Sequence, residues 1–182
     1  MKTMKILTGA FFYIFFLSCS KIPGYSSGYK HMPDQDKKMV SFLSKDSKID
    51  IGKANIIQAV TAIQLREIIN KNSQTLVYIW APNCKSKACI PISAAKMFGE
   101  KQNYNVIILC EYYNVDILSK QTDDYANIYG VNYKEYNSNI CNVYMKRFLK
   151  DLIPNGYQRN IGDRFLLFGN GGAFKESKSL LP

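Results

Sequence analysis

Two short apolar runs constrain the fold of this chain more than any other feature. Residues 105–110 read Asn-Val-Ile-Ile-Leu-Cys, and residues 76–80 read Leu-Val-Tyr-Ile-Trp. Runs of this length and composition are typical of strands, and a strand that is apolar at nearly every position is covered on both faces. The sequence therefore predicts an α/β fold with a central sheet between layers of helices.

Helical and strand patterns alternate along the rest of the chain. Thr61 and Gln64 have the spacing of a capping box, in which each side chain satisfies a backbone N–H of the first helical turn. The glycine-rich stretch 169–172 separates two apolar runs, as in a β-hairpin. We predict strands at residues 54–60, 76–80, 105–110, 164–168 and 173–175, and helices at 61–72, 90–102, 115–129 and 142–153.

The segment after residue 80 contains the best candidate for chemistry. It reads Ala-Pro-Asn-Cys-Lys-Ser-Lys-Ala-Cys-Ile-Pro, which places Cys84 and Cys89 between a strand and a predicted helix. The N-terminus of a helix carries partial positive charge and favours a thiolate over a thiol. Residues five apart on a regular helix lie roughly 8 Å apart, which is too far for a disulfide. A bond between these cysteines therefore requires Cys84 to lie in a loop, and Pro91 fits the first position of the helix that follows.

This segment resembles the active-site region of the thioredoxin superfamily. The resemblance spans about residues 51–175 and rests on the motifs Val-Tyr-Ile-Trp-Ala (77–81), Tyr-Gly-Val (129–131) and Phe-Leu-Leu-Phe (165–168). It implies a thioredoxin-like three-layer α/β/α fold with a helical insertion, residues 132–163, before the C-terminal β-hairpin. The chain departs from the family in its Cys-x-x-x-x-Cys spacing, in the absence of a proline immediately before Arg164, and in lacking the closing helix.

The resemblance implies thiol–disulfide exchange, with Cys84 as the nucleophile and Cys89 as the resolving thiol. Lys85 and Lys87 favour the thiolate. An alternative alignment places Lys87 at the second cysteine position, so that the resolving thiol is lost. The competing interpretation is a structural disulfide in a non-enzymatic protein-interaction module. Cys110 and Cys141 remain, and either a bridge between them or two buried thiols fits the sequence.

The N-terminus predicts export. Lys2 and Lys5 precede an apolar stretch that ends at Cys19, as in a secretory signal peptide over residues 1–18. The ending resembles a bacterial lipobox, which implies lipidation of Cys19 and an anchor in the cell envelope, most simply the outer membrane facing the periplasm. An ordinary signal peptide with a chance cysteine is the alternative. Residues 19–50 are predicted to be a flexible tether, and residues 51–182 the folded domain.

Charge and composition narrow the choice of partners. The chain carries a formal charge of +10, and residues 1–18 contribute two of its lysines. Its basic residues are scattered, without the compact clusters of a nucleic-acid surface. Its single histidine, His31, lies in the predicted tether, so we expect neither a metal site nor another cofactor. The expected partners are thiols or disulfides of exported proteins, or an unidentified envelope protein.

Overall fold

A seven-stranded sheet organises the chain in this computed structural model, which describes residues 25–50, 56–122, 124–154, 157–160 and 162–181. The strands lie in the order β1-β2-β5-β4-β3-β6-β7. The first five strands in this order, β1, β2, β5, β4 and β3, are parallel to their neighbours. Strand β6 is antiparallel to β3, and β7 is antiparallel to β6. The strands are β1 (Val40–Phe42), β2 (Ile57–Val60), β3 (Thr75–Trp80), β4 (Asn105–Cys110), β5 (Ile128–Val131), β6 (Phe165–Phe168) and β7 (Phe174–Lys178).

Helices cover this sheet, which confirms the predicted α/β class. All six residues of β3 are buried, so both faces of the central strand are covered. The helices are α1 (Asp34–Lys37), α2 (Ala62–Asn70), α3 (Ile92–Gln102), α4 (Val115–Ser119) and α5 (Cys141–Leu152), and short 3₁₀ turns lie at Tyr29–His31 and Asn170–Gly172. Helices α2 and α5 pack against each other, while α3 packs against β3 and β4.

Several helices and strands were predicted correctly from short sequence patterns. Thr61 and Gln64 form the predicted capping box at the start of α2, with the Gln64 N–H donating to the Thr61 hydroxyl. The predicted strands at 76–80 and 105–110 correspond to β3 and β4, and the glycine-rich stretch connects β6 to β7. At Gly172 the backbone has a φ of 74°, and a Cβ there would collide with the Asn70 side chain. Glycine is therefore required at this turn.

The predicted helix over residues 115–129 is wrong beyond its first turns. Helix α4 ends at Ser119, and Ile128–Val131 form β5, which lies between β2 and β4. The apolar residues of this segment favour a strand, and pairing with a neighbour on each side outweighs their helical spacing. Gly130 lies under the Tyr113 ring, where a Cβ would collide with the phenol. Packing thus explains the glycine of the Tyr-Gly-Val motif.

The described part of the predicted tether belongs to the domain. The Ser27 N–H donates to the Asn139 carbonyl at 2.9 Å, and the Ser27 carbonyl accepts from the Tyr113 N–H at 2.8 Å. Met32 and Val40 are buried in the core, and β1 extends the sheet beside β2. The polar composition of this segment hid its strand from sequence analysis, because β1 has only three residues and only one of them is buried. The predicted signal peptide and Cys19 lie outside the described residues.

Candidate functional site

The two candidate cysteines are joined in a loop at the carboxyl end of β3. Cys84 and Cys89 form a disulfide with a Cα–Cα distance of 5.9 Å. The Cys84 N–H donates to the Ala81 carbonyl at 3.1 Å, and the Cys89 N–H donates to the Ser86 carbonyl at 3.0 Å. These turns bring the sulfurs together, which confirms the predicted Cys84–Cys89 pairing. The partner of Cys84 is therefore Cys89, and Lys87 lies between them on an exposed turn.

The helix after the disulfide begins at Ile92, two residues after the start of the predicted range 90–102. Pro91 is the N-cap of α3 rather than its first helical residue, and its extended backbone leads into Ile92. Proline fits this position because a residue before the first helical turn needs no backbone N–H for the helix. Cys89 lies two residues before the N-cap, and Cys84 lies farther back in the loop. Both cysteines thus precede the first turn of α3.

The disulfide loop, residues 81–91, is open to solvent. Cys84 and Cys89 are half-buried, whereas Asn83, Lys85 and Lys87 are exposed. The loop is fastened to the segment after β4 by the Asn83 N–H, which donates to the Tyr112 hydroxyl at 2.8 Å. The exposed Tyr25 ring lies parallel to the Tyr112 ring at a centroid distance of 6.5 Å. The loop therefore presents exposed side chains around two half-buried cysteines.

The other two cysteines in the described part of the chain, Cys110 and Cys141, are buried and free. Cys110 ends β4 opposite Trp80 in the parallel register, and Cys141 begins α5. The suggested Cys110–Cys141 bridge is therefore absent. Burial raises the pKa of Cys110 to about 12. Burial and the nearby Glu111 carboxylate raise the pKa of Cys141 to about 12. Both remain neutral thiols at physiological pH, and their burial disfavours the thiolate that a nucleophile requires.

A carboxylate held by two guanidinium groups lies beside Cys110. Glu111 Oε1 accepts from Arg159 Nη1 at 2.9 Å, and Oε2 accepts from Arg164 Nη1. Their side chains are only 13 to 17% exposed. Burial alone would raise the pKa of Glu111, but the two arginines outweigh it and hold that pKa below its usual value. We call these three residues the Glu111 cluster. The Glu111 carboxylate is ionised at neutral pH.

The Glu111 cluster was missed by sequence reasoning. Its members come from the residue after β4, from the loop after α5, and from the residue before β6. The backbone carbonyl of Glu111 accepts from the Tyr144 hydroxyl and, at 3.5 Å, from the Cys141 thiol. A charged residue directly after a central apolar strand was the one available signal. Its partners lie 48 and 53 residues away, which no local pattern reveals.

Directly before β6 lies Arg164, which follows Asp163 rather than a proline. Its carbonyl accepts from the Ile79 N–H at 2.7 Å, so it lies next to the end of β3. Among the described residues every peptide bond is trans. The structure thus places a half-buried arginine at this edge of the sheet.

The described residues contain neither a metal-ligand cluster nor a membrane-spanning helix. In the described ranges, His, Cys, Asp and Glu side chains do not gather in groups of three or more that would hold a metal ion. His31 is exposed in the 3₁₀ turn before α1. None of the helices in the described part of the chain has the length and apolar character needed to cross a bilayer.

Comparisons with known proteins give no match at any level. No family model matches the chain, no curated protein matches its sequence, and no solved structure matches its fold.

Proposed function

We propose that this protein is an envelope-anchored, thioredoxin-like lipoprotein that catalyses thiol–disulfide exchange on exported proteins through Cys84 and Cys89. The observation that supports it is a half-buried, solvent-accessible disulfide between the end of a central parallel strand and the N-terminus of a helix. The carboxyl ends of parallel strands are where α/β proteins commonly place their functional groups. Export places the chain where disulfides persist and exchange partners are present.

The exchange begins with the reduced protein. The Cys84 thiolate attacks one sulfur of a substrate disulfide, which forms a mixed disulfide and releases the other substrate sulfur as a thiolate. The Cys89 thiolate then attacks the Cys84 sulfur, which restores the Cys84–Cys89 disulfide and releases the second substrate thiolate. The substrate gains two electrons and the protein loses two. The reverse sequence, starting from the oxidised form, oxidises a substrate dithiol.

The surroundings of the loop favour the thiolate of the attacking cysteine. The partial positive charge at the start of α3 and the ammonium groups of Lys85 and Lys87 stabilise negative charge on sulfur. We therefore expect the pKa of the Cys84 thiol in the reduced protein to lie below the reference value of about 8.5. Lys85 and Lys87 are exposed, so part of this effect is screened by salt.

The decisive experiment uses single cysteine variants. Purified wild-type protein, first reduced with a dithiol and then freed of it, should reduce a model protein disulfide, and Cys84→Ser should abolish the reaction with the fold intact. Cys89→Ser should accumulate a mixed disulfide on Cys84, because attack proceeds without resolution. Trapping by Cys84→Ser instead would reverse the roles of the two cysteines. An ordinary Cys84 titration together with no trapped species would show that the disulfide is structural and that the protein is an interaction module.

The lipid anchor is tested separately. Cys19→Ala should abolish membrane association and leave an unprocessed or differently processed precursor, because the modified residue itself is missing. Fractionation and mass measurement of the processed chain would detect both changes. Unchanged processing and fractionation would refute the lipobox but leave the exchange reaction standing.

A further inference from the structure

A cavity of 660 Å³ lies against the Glu111 cluster, away from the disulfide loop. Its walls come from α5 and from residues 157–159, both within the predicted insertion, together with Arg164 and Glu111. None of the residues 81–91 lines it. We propose that this cavity binds a small organic anion, in which a carboxylate or phosphate group is carried on an apolar body.

The charges around the cavity support an anionic ligand. Lys146, Lys150, Arg159 and Arg164 line it, against the single carboxylate of Glu111. Glu111 spends both of its oxygens on the two arginines, so these walls retain three positive charges that it does not balance. The charges of Arg159 and Arg164 are largely buried, and buried positive charge is costly unless an anion or water compensates it. A bound anion would supply that compensation.

The arginines keep donors available for such a ligand. Among the described contacts, Arg164 donates through Nη1 alone, to Glu111. Arg159 donates through Nη1 to Glu111 and through Nε to the Asp163 carbonyl at 3.2 Å. A guanidinium group carries five N–H donors in a planar fork that matches carboxylate and phosphate oxygens. Because Glu111 holds both forks in place, they are already oriented when a ligand arrives.

The apolar part of the ligand is inferred from α5. Met145 and Leu149 are one turn apart and line the cavity, and Lys146 and Lys150 follow them at the same spacing. Side chains four residues apart lie on the same face of a helix, so an apolar strip runs beside a basic one. Pockets of several hundred Å³ that combine apolar walls with a few charged groups are typical of small-molecule sites.

Binding is tested on the full chain with three naphthalene compounds of similar size. The probes are 1-naphthyl phosphate and 1-naphthoate, and the neutral control is 1-naphthalenemethanol. Calorimetric titration should show that both anions bind at least tenfold more tightly than the alcohol, and that salt weakens their binding. Equal affinity for the alcohol and the anions would overturn the proposal, and so would the absence of binding by all three.

Two matched double variants locate the site. Lys146→Ala with Lys150→Ala should weaken anion binding about tenfold, because both ammonium groups lie at the cavity. Lys85→Ala with Lys87→Ala removes the same charge from the disulfide loop and should change the affinity less than twofold. All four lysines are exposed, so folding is retained and is verified by circular dichroism. Equal weakening by both pairs would indicate diffuse attraction and overturn the assignment of this site.

Discussion

The disulfide loop and the Glu111 cluster lie at the same edge of the sheet but differ in every physical respect. The loop holds its sulfurs half-buried among exposed side chains, and the cluster holds a carboxylate between two guanidinium groups that are largely buried. The two regions adjoin at the end of β3, where the Glu111 N–H donates to the carbonyl of Trp80, the residue before the loop, at 2.8 Å. The comparison shows that the disulfide lies where solvent partly reaches, whereas the opposed charges of the cluster lie deeper in the fold.

Alkylation should separate accessible from buried thiols by the largest margin. In protein treated with a mild reductant at pH 7, Cys84 and Cys89 should react at least roughly a thousandfold faster than Cys110 and Cys141. A pKa of about 12 leaves the buried pair far less thiolate than an ordinary thiol with a pKa of about 8.5. Mass spectrometry over time gives the four rates. Comparable rates would mean that the core opens readily or that the buried thiols are more acidic.

Removing the carboxylate charge of the cluster should destabilise the fold strongly. Glu111→Gln leaves two mostly buried guanidinium groups without their counter-charge, which typically costs about 3–5 kcal/mol. Urea unfolding of both proteins measures the difference. The matched control is Glu100→Gln on the exposed surface of α3, which should change the free energy of unfolding by less than about 0.5 kcal/mol.

Glu111→Gln also tests how the stability of the fold depends on pH. The pKa of Glu111 is lower in the folded protein than its usual value of about 4.3, so the folded state binds this proton more weakly. The stabilisation from its charge is complete above the unfolded pKa and is lost as the pH falls through the folded pKa. The stability of wild-type protein should therefore drop more steeply below pH 4 than that of Glu111→Gln. Parallel pH profiles would contradict an ionised, stabilising carboxylate.

The disulfide should contribute less to stability than the cluster. Its closed loop holds six residues, for which the chain-entropy model gives roughly 2 kcal/mol. Urea unfolding with and without reductant should show this shift, and a Cys84→Ser, Cys89→Ser double variant should show no shift on adding reductant. A loss as large as that of Glu111→Gln would favour a structural role over exchange.

What the sequence could predict follows from how far apart the interacting residues are. The capping box of Thr61 and Gln64, the apolar strands β3 and β4, and the Cys84–Cys89 pair are determined within a few residues. The two errors, β1 and β5, concern short strands whose assignment depends on neighbours contributed by distant parts of the chain. Sequence analysis missed the Glu111 cluster for the same reason, because its arginines come from beyond α5.

The position of β5 imposes an order on assembly. Strand β2 has β1 and β5 as its neighbours, and β5 connects it to β4 and the rest of the sheet. A chain emerging from its N-terminus can pair β3 with β4, but it leaves β2 without its inner neighbour until Ile128–Val131 have appeared. Pairing between such distant segments is slow and leaves strand edges exposed in the meantime. The first strands of this protein to be made are therefore among the last to find their place in the sheet.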